Sequence, residues 1–236
     1  MKKTTNITRG EQEKAIIITV AITGHSGAGK STVAKLLLEK LPNPSILSLD
    51  LPFIAAPLKF KEQYEQIFNR SLDVNDHVNN LRVAMDSSPT ALCKYIEMIA
   101  PFLDEEAEKE KTRIAAETKP GETKPGETKY LLTDYFGLPS LEYWINADYR
   151  IMVDAPNKIE RNARLVEREK NDDISPFWHP QCGVVREENL REMMENAPRV
   201  DFHLANSFDE QLAKDVQGVC DVITSKERTL FFRVVQ

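Results

Sequence analysis

The chain has 236 residues and a formal net charge of −6, which is enough length for one α/β domain with a full core, or one domain plus a small lid. The acidic balance argues against nucleic acid held by bulk charge, and no apolar run is long enough to span a membrane. Cys93, Cys182 and Cys220 are scattered without a C-x-x-C, so a disulfide framework is not expected and a reducing cytoplasm fits.

Residues 1–14 are polar and mixed in charge, with no apolar signal-peptide core, and are expected to form a flexible arm. The β-branched run Ala15 to Ile22 predicts a buried strand, and Ser31 to Leu41 predicts an amphipathic helix. Between them stands Gly24-His25-Ser26-Gly27-Ala28-Gly29-Lys30-Ser31, which fits the phosphate-binding loop G-x-x-x-x-G-K-[ST]. Glycines let the backbone take positive φ and approach a ligand, so that successive N–H groups point into one concavity at the new helix's positive end. Lys30 is expected to reach the β- and γ-phosphates of ATP or GTP. Ser31 should hold Mg²⁺ through its hydroxyl, with Thr32 adding a second hydroxyl.

Pro42-Asn43-Pro44 stops this helix, and Ser45 to Leu49 reads as a second strand ending at Asp50. Phe60 to Phe68 reads as helix and Asp73 to His77 as a turn. Leu81 to about Ala116 reads as a long helical excursion interrupted at Ser87-Ser88-Pro89 and at Pro101. Glu117-Thr118-Lys119-Pro120-Gly121 is repeated at 122–126, and a third copy begins at 127–129. With no apolar residue and two Pro-Gly pairs, this stretch is expected to be a solvated, mobile loop.

Tyr130 to Thr133 predicts a third strand ending at Asp134, then a short helix near 140–146, and Tyr149 to Val153 a fourth strand ending at Asp154. A basic helix follows over 156–170, a loop over 171–183 and a helix over 186–196. Phe202 to Leu204 predicts a fifth strand ending at Asn206, Ser207 is expected to cap a helix over 208–219, and 230–235 is a candidate edge strand. Alternating strands and helices predict an α/β fold: a parallel central sheet flanked by helices in three layers, with ligands beyond the carboxyl ends of the strands. Asp50, Asp134, Asp154 and Asn206 all fall at such ends.

Asp134 is thus a candidate carboxylate near Mg²⁺, and Asp50 a candidate base or metal-orienting group. Both positions also suit turn-capping aspartates. Arg161, Arg164 and Arg168 recur at i, i+3 and i+7 and are expected to share a face, either neutralising a transferring phosphoryl group or pairing with Glu160, Glu167 and Glu169. Lys59, Arg82 and Arg161 are candidate contacts for an acceptor phosphate. His179 and Cys182 supply only two ligand types at close spacing, too few for a zinc site.

The P-loop, Arg164-Leu165-Val166-Glu167-Arg168 after Val153-Asp154-Ala155-Pro156, and Asp201 to Asn206 followed by Asp209-Glu210-Gln211-Leu212 together resemble the small P-loop kinases of nucleotides and related metabolites. Phe53-Ile54-Ala55-Ala56-Pro57-Leu58-Lys59 resembles the F-A-x-P-L-K segment of phage-type deoxynucleoside monophosphate kinases. The segment from Asp134 to Glu142 is similar to their D-x-R-x-x-x-E, with Phe136 where arginine stands. The second half also resembles dephospho-coenzyme A kinase, although Asp50-Leu51-Pro52 lacks the second Asp of its D-x-D. Ser48-Leu49-Asp50 resembles uridine kinases.

The resemblance covers most of 16–219. It implies a P-loop kinase fold over 15–220, with an acceptor-side helical insertion at 51–129, a lid at 156–183 and a tail at 221–236. It implies ATP and Mg²⁺ as cofactors, Arg164 or Arg168 as a lid arginine, and Asn206 beside the donor adenine. The implied partner is a small phosphate acceptor, first a (deoxy)nucleoside monophosphate, with dephospho-coenzyme A or a nucleoside as the alternative. Nucleic acid and membrane are not implied, and the expected state is a monomer or homodimer. A nucleotide-binding regulatory protein without an acceptor is the reading from a different class.

Overall fold

A computed structural model describes residues 16–76, 79–80, 83–84, 87–116, 128–135, 137–170, 191 and 195–234. Five strands, β1 (Ile16–Gly24), β2 (Pro44–Ser48), β3 (Thr128–Asp134), β4 (Tyr149–Asp154) and β5 (Phe202–Ala205), form one sheet in the order β2-β3-β1-β4-β5. Every neighbouring pair is parallel. Sequence positions and sheet positions therefore differ: β1 lies at the centre, covered on both edges, which is why its residues from Ile18 to Gly24 are buried and read as an unbroken apolar run.

The helices are α1 (Lys30–Lys40), α2 (Asp50–Lys59), α3 (Lys61–Phe68), α4 (Pro89–Ala116), α5 (Glu142–Asn146), α6 (Lys158–Lys170) and α7 (Gln211–Val234), with a 3₁₀ turn at Leu138–Ser140. Alternation along the strands splits the core into two layers. Ile18, Val20 and Ile22 of β1 face Val33, Ala34 and Leu37 of α1 and Leu212, Val216 and Ile223 of α7. Ala21 faces the opposite layer, where Phe53 of α2, Tyr64 of α3, and Tyr95, Ile99 and Leu103 of α4 pack with Tyr135 and Trp144. Two faces covered by helices make the three-layer P-loop fold expected from the sequence.

Polar clamps fix the strand starts. Thr19 donates to Asp148 Oδ2 from both its N–H and its hydroxyl, each at 2.8 Å. Arg150, only 2 % exposed, donates to Asp201 Oδ2 at 2.9 Å, to Trp144 O at 2.7 Å and to Ile145 O, joining β4, α5 and the approach to β5. A guanidinium with five donors can satisfy this many acceptors while buried.

The elements differ from expectation in four places. β2 ends at Ser48, and Asp50 opens α2 rather than closing a strand, an acid in the first turn where the helix dipole favours it. α4 begins at Pro89, with Ser88 Oγ accepting from Ala91 N–H, and runs unbroken through Pro101. Pro101 is exposed, so the carbonyl it leaves unpaired can meet water. Instead of ending near 219 and leaving an edge strand at 230–235, α7 continues to Val234. Its apolar residues Leu212, Val216, Val219 and Ile223 keep helical spacing. Thr224 and Ser225 turn their hydroxyls back onto Cys220 O and Val222 O. Finally, the helix expected from 208 starts at Gln211, capped by Asp209 Oδ1 on Gln211 N–H rather than by Ser207.

Thr128 and Lys129 belong to β3, while the rest of the repeat, 117–127, lies outside the described residues, as do Arg82, Phe136, the 171–183 part of the expected lid, and His179 and Cys182. Of the helix expected at 186–196, only Arg191, Glu195 and Asn196 are described. Among the described residues Cys93 and Cys220 are in no disulfide, and no helix is long and apolar enough to cross a membrane.

Candidate active site

The loop between β1 and α1 is built from glycines used in three different ways. Gly24 has φ +150°, and a Cβ there would sit 2.0 Å from Val153 O of the neighbouring strand. Gly27 (φ +74°) lies under Leu165 and Arg161 of α6, and Gly29 (φ +102°) lies against the Asn206 amide, 2.3 Å from where its Cβ would stand. The loop is therefore pressed between β4, α6 and the end of β5, and only glycine fits at these approaches. Ala28 N–H bonds to His25 O at 3.1 Å, closing the turn. Ser26 and Ala28 are buried, while His25 is partly exposed. Gly29 serves as the N-cap of α1 with no side-chain cap, and the helix's own first turn holds no acid, so its positive end faces the loop's concavity.

Strand register brings the metal-ligand candidates together. Asp134 is the register partner of both Ile22 on β1 and Ser48 on β2, so the sheet order places it beside the end of β1. It is 6 % exposed, and its Oδ2 accepts from Ser31 Oγ at 2.9 Å. A hydroxyl and a carboxylate at this separation, next to a cradle of backbone N–H groups, is the donor set a hard divalent cation takes: oxygen ligands, few in number, with room for water and phosphate oxygens. Lys30 folds over the loop, with Nζ donating to His25 O at 3.2 Å. Thr32 is exposed in the first turn of α1.

Asp50 is exposed at the start of α2, which follows the edge strand β2. Burial holds the Tyr135 phenol well above its ordinary value, with smaller contributions from Tyr95 and the Asp50 carboxylate. Lys59 is not brought to the loop. It ends α2, nine residues and about 13 Å along the axis from Asp50, with Nζ 3.7 Å from the centroid of the Phe102 ring on α4.

The three arginines of α6 do not act alike. Arg161 is buried at 2 % exposure with its stem against Gly27. Arg164 is 53 % exposed, pairs with Glu160 Oε1 at 3.0 Å, and lays its guanidinium 4.1 Å from the centroid of the Phe208 ring. Arg168 lies one turn further along α6. Asn157 starts the helix, with its Oδ1 accepting from Glu160 N–H.

Asn206 has a role that its expected place beside an adenine does not describe. At 3 % exposure its Nδ2 donates to Ala28 O at 2.8 Å and its Oδ1 accepts from Phe208 N–H at 2.8 Å. It holds the phosphate loop from behind and turns the chain so that Phe208, at φ +60°, meets Arg164. The sequence did not single out Phe208, which lines the cavity with Lys30 and Ser31, or Lys158, Arg191 and His203, which line a second one. A partner at sequence distance 178, as Asn206 is to Ala28, leaves no local signal.

Two cavities flank α6. One, about 230 Å³, is lined by Gly29, Lys30, Ser31, Thr32, Arg164 and Phe208. The other, about 550 Å³, lies past Gly24 and His25 along the ends of β4 and β5.

No family model matches this chain and no curated protein does so either. Among solved structures, it is similar to TT1252 from Thermus thermophilus, with 22 % identity and a TM-score of 0.54, covering 89 % of this chain and 98 % of that one. At that identity the likeness concerns the fold. Two further matches are a shikimate kinase from Bacteroides thetaiotaomicron (13 % identity, TM-score 0.45, 88 % and 98 % covered) and a deoxyadenosine kinase from M. mycoides (14 %, 0.42, 88 % and 100 %).

Proposed function

We propose that this chain is a P-loop phosphotransferase that moves the γ-phosphoryl group of ATP to a small acceptor. The observation that carries the reading is the Ser31–Asp134 pair at 2.9 Å, standing at the mouth of the glycine loop and the uncapped start of α1. Backbone N–H groups of 24–32 take the triphosphate, Lys30 swings from His25 O onto its β- and γ-oxygens, and Phe208 with Arg164 borders the donor on its outer side. Ser31 Oγ and Asp134 would hold Mg²⁺, which would supply neutralisation of the triphosphate's charge.

In the transfer an acceptor oxygen forms a bond to the γ-phosphorus. The bond from that phosphorus to the β–γ bridging oxygen breaks, and ADP leaves. An acceptor hydroxyl gives its proton to Asp50; an acceptor phosphate is already ionised and needs no base. Positioning and fixed positive charge do most of the work in such a reaction.

The acceptor class favoured is a (deoxy)nucleoside monophosphate, supported by the similarity of residues 53–59 to the corresponding kinase segment. Dephospho-coenzyme A and nucleosides are the alternatives. The experiment is ATP turnover by the full chain across nucleosides, nucleotides and dephospho-coenzyme A. Acceptor-dependent ADP release is expected, and bound ATP with no acceptor-dependent turnover would leave a nucleotide-binding protein instead.

A further inference from the structure

The rings packed between α2, α3 and α4 hold a buried hydroxyl that the fold does not use. Tyr95 of α4 is fully buried against Phe53 of α2 and against Tyr64 and Phe68 of α3, with ring centroids 5.8, 6.0 and 5.7 Å away. Tyr64 donates its own hydroxyl to Asn80 O at 2.7 Å, and the Tyr143 hydroxyl accepts from Thr133 Oγ1 at 2.8 Å. The Tyr95 hydroxyl has no hydrogen-bond partner among the described residues. A phenylalanine would make the same ring contacts without it, and an unpaired buried hydroxyl is destabilising. Packing therefore accounts for the ring of Tyr95 and not for its oxygen. Departures of this kind are expected where a fold gives up stability for function.

Its place in the fold adds a second argument. Phe53 also lies 5.4 Å from Tyr135 between ring centroids, so it links Tyr95 to Tyr135. Tyr135 directly follows Asp134 and donates its N–H to Ile22 O at 3.2 Å, which roots this aromatic row at the strand ends that carry the metal-ligand candidate. On α2, Phe53 comes three residues after Asp50, just under one helical turn. Phe53 and Tyr95 both fall within 51–129, the stretch that the kinase likeness gives to the acceptor. Aromatic rings stack on a flat heteroaromatic ligand, and a phenol can donate to or accept from its edge. A nucleobase meets both conditions, and nucleoside monophosphates, nucleosides and dephospho-coenzyme A all carry one.

We propose that Tyr95 is a specificity-determining residue of the acceptor site, whose hydroxyl hydrogen-bonds the edge of the acceptor's nucleobase. The base reaches it by displacing the Phe53 ring that now stands edge-on to Tyr95. Pro57 brings no N–H to the ladder of α2, which leaves that helix less firmly held. The role in turnover rests on the phosphotransferase reading, but base recognition is measured apart from it. Tyr95→Phe removes one oxygen and keeps the ring. Full-length wild type and variant are each saturated with Mg²⁺ and a non-hydrolysable ATP analogue, so that the donor loop is filled. They are then titrated calorimetrically with nucleoside 5′-monophosphates, their nucleosides, dephospho-coenzyme A, and ribose 5-phosphate, which has no base. The analogue's own affinity and urea denaturation without ligand are measured in parallel.

At least one base-bearing compound should bind, and ribose 5-phosphate should bind at least tenfold more weakly. Tyr95→Phe should weaken the preferred compound at least about fivefold, the effect of losing one buried hydrogen bond. It should also narrow the preference among bases and leave the ATP analogue within twofold. Without ligand, the variant should unfold at an equal or higher urea concentration with an unchanged m-value, because the hydroxyl it lacks was unpaired. The proposal is overturned if no base-bearing compound binds, if ribose 5-phosphate binds equally well, or if Tyr95→Phe leaves every affinity within twofold or weakens all bases by one factor. It is also overturned if the ligand-free variant is less stable, which would show the hydroxyl to be paired in the free protein. Tyr95-dependent base binding without acceptor-dependent ATP turnover would preserve the base contact and refute the transfer. Turnover whose acceptor KM is indifferent to Tyr95→Phe would do the reverse.

Discussion

The contact between Gly29 and Asn206 makes a quantitative prediction. Asn206→Ala removes two buried hydrogen bonds, leaving Ala28 O and Phe208 N–H without their partners. Each orphaned buried group costs about 1–3 kcal/mol, so with some relaxation a loss of about 2–4 kcal/mol is expected. Gly29→Ala does its damage through the same atoms. Its Cβ would lie 2.3 Å from Asn206 Nδ2, forcing the amide away from Ala28 O, and φ +102° adds about 1–2 kcal/mol of backbone strain. The two changes should therefore not add. In the double variant the added methyl meets open space where the amide stood, so the combined loss should fall short of the sum by about 1–3 kcal/mol. Urea denaturation of the four proteins, read at unchanged m-value, measures this coupling. ATP-analogue affinity in the same set should fall most in the Gly29 variants, whose loop is displaced directly. Losses that add within about 0.5 kcal/mol would show that Asn206 does not hold the loop.

Lys30→Ala should abolish ATP turnover while leaving the fold intact, since Lys30 packs over the loop rather than in the core; near wild-type turnover by a folded variant would remove the basis of the transfer reading. Asp134→Asn should raise the Mg²⁺ concentration for half-maximal rate at least tenfold, whereas an unchanged Mg²⁺ dependence would assign Asp134 to capping alone. Arg164→Ala and Arg168→Ala, made singly, should each lower kcat at saturating substrate far more than tenfold; a fall of tenfold or less for both would favour exposed pairing of the Arg164–Glu160 kind. Burial pushes the Tyr64 phenol up to about 12, against a smaller opposing pull from Arg70, and holds Tyr95, Tyr135 and Tyr143 above their usual value as well. Because the folded state keeps these protons where the unfolded state loses them, the phenols' contribution to stability should be constant below about pH 10 and be lost as pH rises from 10 through 12. Ultraviolet titration should show these four phenols ionising only with unfolding, and ionisation well before the unfolding transition would contradict their burial.

Much of the architecture was legible without coordinates. Apolar runs of strand length, each followed by a polar residue and then a helix, imply a parallel sheet, because a crossover helix must cover each pair of strands. The phosphate loop is a local device, with its glycines, lysine and hydroxyls contiguous, so the motif alone located it. Asp134 was found for a related reason: its place at a strand end is written in the four apolar or hydroxyl residues before it.

What the sequence could not decide was anything that depends on strand order or on pairing across the chain. The sheet order sets Asp134 next to β1, while Asp50 opens the helix after the edge strand β2, although both read alike as strand-end aspartates. Helical spacing put Arg161 and Arg164 on one face, yet a three-residue step is about 300° of rotation, enough to send one into the core side and the other to the surface. Asn206 and Phe208 gain their roles from partners far away in sequence, where composition and periodicity carry no record. The extension of α7 to Val234 was hidden for the opposite reason: a short weak alternation is compatible with strand, and only continuity with the amphipathic face that packs on α1 selects helix.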